Sequence, residues 1–114
     1  NTIKVDSVMD ITLNHTIVPA HDNVGSARFY ERIFGFDYIK EWGSFAVVKV
    51  NQTLTLDFMY QASFSSLHYA FKVSDQQFDE ILERVTVEGV LYGSAKYGLE
   101  WLVPEDLGVL SSIS

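Results

Sequence analysis

Two histidines in matching settings constrain this chain most. They are His15, in Leu13-Asn14-His15-Thr16-Ile17-Val18-Pro19, and His68, in Leu67-His68-Tyr69-Ala70-Phe71-Lys72-Val73, 53 residues apart. Each stands near the start of a short strand-like run, and a helical pattern follows each run. A chain of 114 residues that restarts in this way is one domain with internal pseudo-symmetry, not a solenoid of many repeats. The expected division is a single domain over 1–114, with a first module over 11–60 and a second over 67–114.

The first module reads β-α-β-β-β. Residues 11–19 are β-branched and alternating, and Pro19 is expected to end that strand. Asp22 and Asn23 are good helix caps. Val24, Ala27, Tyr30 and Phe34 then step at helical spacing to a stop at Gly35. Three strand-like runs follow, Phe36 to Trp42, Phe45 to Val50 and Thr53 to Tyr60, with Gly43-Ser44 and Asn51-Gln52 as tight connections.

The second module restarts at Leu67. Ser74 and Gln77 form a capping-box signature ahead of Phe78, Ile81, Leu82 and Val85, and Gly89 closes that helix. Beyond it the copy fades. Val90 to Tyr92 has strand character, Gly93 to Tyr97 is turn-like, and the tail carries Pro104, Gly108 and three serines among its last four residues. The expected class is therefore α+β, two βαβββ modules forming a curved mixed sheet, with the second module incomplete at one or two strands after its helix.

Composition narrows the chemistry. With no cysteine there are no disulfides, thiolate metal sites or thiol nucleophiles, so His, Asp and Glu are the strong ligands. A net charge of −7 with dispersed Lys and Arg argues against nucleic acid and suits a neutral or cationic small molecule. No run approaches the roughly 18 apolar residues of a membrane span, which argues against a membrane, and a cytoplasmic location is expected. Residues 1–8 precede the first methionine, Met9, and read either as a processed segment or as an N-terminal strand.

Both histidines would face one cleft if the two first strands lay side by side. Asp57 puts a carboxylate into the apolar run Thr53-Leu54-Thr55-Leu56-Asp57-Phe58-Met59, where it must be paired or solvated. Two imidazoles and a carboxylate form a known set for a divalent cation, Zn, Ni, Mn or Fe, with open positions for substrate. The plainer reading is two structural histidines and a solvated carboxylate. Trp42, Phe45, Tyr60 and Trp101 are candidates to line the cleft, against the commoner role of strand aromatics as core. His21, in the loop after Pro19, has no counterpart in the second copy.

The order of elements resembles the vicinal oxygen chelate superfamily, which includes glyoxalase I, bleomycin-resistance and fosfomycin-resistance proteins and extradiol dioxygenases. The resemblance rests on the His15 and His68 strands, on Leu54-Thr55-Leu56-Asp57, and above all on Ser26-Ala27-Arg28-Phe29-Tyr30-Glu31-Arg32-Ile33-Phe34-Gly35-Phe36, and it covers about residues 11–90. It implies metal ligands on the first and last strands of each half, here His15, Asp57 and His68, with Asp57 replacing a glutamate. The 42-residue offset from His15 to Asp57, applied to His68, lands on Leu110, which cannot bind metal.

The family's usual Asp-Pro-x-Gly turn and Glu-bearing strand are missing, and Glu100, Glu105 and Asp106 lie nearby in no matching motif. Two activities follow as expectations. One is a metal-dependent lyase, isomerase or oxygenase, with Glu100 or a partner subunit as general base. The other is a non-catalytic module that sequesters a cationic drug. A homodimer is expected under both.

Overall fold

This structure is a computed structural model, and it describes residues 11–94, 98–104 and 106–114. Residues 1–8, read as a processed segment or an N-terminal strand, the last three positions of the Gly93–Tyr97 turn and the candidate Glu105 lie outside the described residues. In chain order the elements are β1 (His15–Ala20), α1 (Asn23–Phe34), β2 (Asp37–Trp42), β3 (Phe45–Lys49), β4 (Thr55–Tyr60), β5 (Leu67–Phe71), α2 (Asp75–Val87), β6 (Tyr92–Ser94), β7 (Leu99–Val103) and β8 (Asp106–Ile113). They form two four-stranded sheets of identical topology, β1-β4-β3-β2 and β5-β8-β7-β6. In each, the first strand pairs in parallel with the last and the other neighbours are antiparallel.

The helices begin and end where local chemistry directs. The Asp22 carboxylate accepts from the Gly25 amide, and Gly35 closes α1 in the left-handed region at φ 77°. At α2 the capping box is complete: Ser74 Oγ accepts from the Gln77 amide, and the Gln77 side chain accepts from the Ser74 amide.

Two expectations are corrected. Pro19 does not end β1, which runs on to Ala20. β1 is an edge strand, so a residue without an N–H is tolerated on its outer side. The second module is not incomplete, because β6, β7 and β8 follow α2. Leu99, Trp101 and Val103 of β7 turn inward in alternation, and so do Val109, Ser111 and Ile113 of β8, although Ser112 between them is also buried, at 8% exposure. The serines disguised this pattern: Ser111 is buried, its hydroxyl within 2.6 Å of the Tyr30 hydroxyl, so it fills a core position as a satisfied polar group.

One core holds the sheets together. Tyr30 of α1 packs against Phe58 of the first sheet and Phe71 of the second, and Phe34 against Phe71 and Trp101. Each sheet therefore turns one face toward this aromatic centre and the other face away. Among the described residues no helix is long and apolar enough to cross a membrane.

Burial pushes the Tyr30 phenol well above its ordinary 10.0, so it stays protonated at neutral pH and bonded to Ser111. Its folded pKa is raised, so the stabilisation is fully present below pH 10 and falls as the pH climbs above it, where the unfolded chain ionises first. Tyr30→Phe is expected to lose about 1 kcal/mol at pH 7, because Ser111 is left unpaired. The gap between variant and wild type should narrow in urea unfolding above pH 10.

Candidate functional site

Strand register decides which side chains share a face. His15 stands opposite Thr55 and Ile17 opposite Asp57 on the parallel β1–β4 pair, while Val47 lies opposite Asp57 and Phe45 opposite Met59 on β3–β4. Paired residues point the same way and alternate along each strand, so His15, Ile17, Asp57, Phe45 and Val47 share the face turned away from α1. Trp42, opposite Phe45, joins them at the far edge, 65% exposed, its ring 6.5 Å from that of Phe45. Asp57 Oδ1 accepts from Thr55 Oγ1 at 2.9 Å, and the His15 ring is within 2.9 Å of Asn14 Oδ1.

The second sheet repeats the plan with different side chains. His68 stands opposite Leu110, Ala70 opposite Ser112, and Glu100 of β7 opposite Ser112 on its other side. Here too the histidine-bearing face is the one turned away from the aromatic core. His68 Nε2 lies 2.9 Å from Ser112 Oγ.

The counterpart of Asp57 is Ser112 and not Leu110. Asp57 faces the residue two beyond His15, and Ser112 faces the residue two beyond His68. A fixed sequence offset misses this because His15 is 40 residues from its ladder partner Thr55, whereas His68 is 42 from Leu110. Alternation puts Leu110 and Ser112 on the same face, so the register of the β5–β8 ladder alone separates them, and no local sequence signal carries it.

The aromatic candidates divide. Trp42 and Phe45 lie on the His15 face, but Tyr60 follows Leu56 and Phe58 on the opposite face, at an exposed strand end. Trp101 does not line a cleft. It is 2% exposed on the core side of β7 against Phe34, so a large apolar residue at an inward position served packing.

His15, Asp57 and His68 are not gathered into one centre by a single chain: among the described residues no three His, Asp or Glu side chains lie close enough to hold a metal ion. Their chemistry suits a divalent cation, since two imidazoles and a carboxylate leave positions open. Completing such a centre requires bringing the two outward faces together.

A second polar cluster was not foreseen. Asp106, at the start of β8, is 1% exposed and accepts from the His21 amide at 2.5 Å and from the Ser26 hydroxyl, and His21 Nδ1 lies 3.1 Å from the same carboxylate. The His21 ring packs on Phe64 at 4.9 Å. This cluster ties the first module's loop and helix to the last strand of the second.

Comparison with known proteins follows the same architecture. The solved structure of oxidase ChaP-H2 is similar at 31% identity over 92% of this chain and 93% of its own, with a TM-score of 0.83. Oxidase ChaP-H1 is similar at 34% identity over 91% and 94%, with a TM-score of 0.75. A possible glyoxalase from Bacillus cereus shares the fold at 22% identity over 91% and 98%, with a TM-score of 0.75. No family model matches the sequence, and no curated protein does.

Proposed function

Because the chain belongs to the vicinal oxygen chelate superfamily of glyoxalase, bleomycin-resistance and dioxygenase-type proteins, we propose that it is a metal-dependent oxidase or oxygenase of a small molecule. Its cleft is completed by a second copy of the chain. The observation that carries this reading is the register. It sets His15 with Asp57 on one outward face and His68 with Ser112 and Glu100 on the equivalent face of the other sheet. Ile17 at 45%, Trp42 at 65% and Leu102 at 47% exposure leave apolar surface open on these faces in one chain. Pairing the first sheet of one chain with the second sheet of another would bury them and bring His15, Asp57 and His68 together.

In that arrangement His15, His68 and Asp57 would hold the cation, which would supply Lewis acidity toward substrate oxygens. Asp57, kept in orientation by Thr55 Oγ1, contributes the negative charge of the set. Glu100, across from Ser112, is positioned to take a proton from bound substrate, the part a general base requires. Trp42 and Phe45 offer ring surface to an aromatic or apolar ligand.

The test is metal content and oxygen uptake of protein purified without chelators and reloaded in turn with Fe, Mn, Ni and Zn. Bound cation at one per chain, lost in His15→Ala and again in His68→Ala, supports the reading. Protein that takes up none of the four metals overturns it.

A second reading is favoured by Ser112. A serine at the position equivalent to Asp57 leaves the second half without a last-strand carboxylate ligand, as suits a non-catalytic binder of a cationic drug in the same cleft. Metal-independent binding of a cationic glycopeptide, unchanged by His15→Ala and without turnover, would select it.

A further inference from the structure

A cavity of about 410 Å³ lies at the junction of the two modules, outside the histidine-bearing faces. The first module contributes Phe34 and Phe36 to its wall, and the second contributes Phe71, Lys72, Glu80 and Arg84. Phe71 belongs to the core-facing side of β5 and His68 to the opposite side, so the cavity and the candidate centre are separated by the sheet itself.

The three phenyl rings form a partly exposed aromatic wall. Phe34 and Phe36 are stacked at 4.7 Å with 9° between their planes, and Phe71 approaches Phe34 at 4.6 Å and Phe36 at 5.8 Å. Rings left partly open beside a cavity of this size present what a flat apolar ligand needs.

The charges at the rim are unequal. Arg84 is committed: its Nη1 donates to the Ile33 carbonyl at 3.1 Å, and its Nη2 lies 3.9 Å from Glu80 Oε1. That pair accounts for Glu80, the one carboxylate lining the cavity. Lys72 is exposed and has no carboxylate within ion-pair distance among the described residues. A chain of net charge −7 thus carries a locally cationic rim above an aromatic wall.

We propose that this cavity is a second small-molecule site, taking a planar aromatic carboxylate with its ring against Phe34, Phe36 and Phe71 and its carboxylate on Lys72. Such a ligand touches both modules and steadies their junction. The site is independent of the metal-centre reading, since it shares no residue with it.

The test uses 1-naphthoate as probe, with neutral 1-naphthamide and 1-naphthylmethylammonium as comparisons, followed by amide chemical shifts of the intact chain. The expected result is saturable shifts at Phe36, Val73 and Gln77 with none at His15, Val47 or Ala70, and the amide and the ammonium binding more weakly than the carboxylate. Lys72→Glu should weaken 1-naphthoate about tenfold or more, the loss of one charge-assisted contact, and leave 1-naphthamide unchanged. Lys72→Gln should fall between the two. Preference for the ammonium, shifts confined to the histidine-bearing faces, or equal affinity in Lys72→Glu would each overturn the assignment. Because Lys72 is exposed, both variants are expected to fold, and their unfolding midpoints check this.

Discussion

Asp106→Ala is expected to cost about 3 kcal/mol of folding stability, the scale for removing one partner from a buried polar network. The carboxylate is 1% exposed and is the acceptor for the part-buried His21 amide and the buried Ser26 hydroxyl, so truncation leaves both donors without their partner. The His21 side chain is 52% exposed, so His21→Ala, which keeps the backbone amide bond, should cost under about 1 kcal/mol. Urea unfolding of the two variants separates these expectations. An Asp106→Ala midpoint equal to wild type would mean that the cluster does not join the modules.

His68→Ala is expected to lower metal affinity by more than about 100-fold, since loss even of a group that only orients a ligand costs 10- to 100-fold. Ser112→Ala sharpens the test, because the serine hydroxyl lies 2.9 Å from His68 Nε2. If Nε2 takes the cation, removing the hydroxyl frees that nitrogen and raises affinity. If Nδ1 takes it, the hydroxyl is the orienting partner and affinity falls about tenfold. Titration calorimetry with Zn or Mn reads both variants, and equal affinity in His68→Ala and wild type would remove His68 from the centre.

The helices and the first module were legible because their signals are local. Asp22 and Gly35, and Ser74 with Gln77, act within one turn of chain, and the structure reproduces both helices they delimit. The last three strands were not, because β7 and β8 are recognisable only against each other and against α1. Ser111 reads as a tail residue until Tyr30 is seen bonded to it, 81 positions away. Trp101 and Trp42 are alike as letters, yet β7 turns the first into the core while β2 leaves the second on an outward face.

By itself, the sequence determined the duplication, the βαβββ order of the first module and the acidic, cysteine-free chemistry, and it put forward His15, Asp57 and His68 as candidates for a cation. Helix caps, turns and alternation depend on neighbours along the chain, which any single sequence displays. Only the tertiary structure decided that Ser112 corresponds to Asp57, that the candidate ligands of one chain stand apart, and that Asp106 and His21 lock the modules together. Each of those depends on strand register or on contacts between distant segments. A two-residue difference in ladder spacing between the halves was enough to move the correspondence from Leu110 to Ser112.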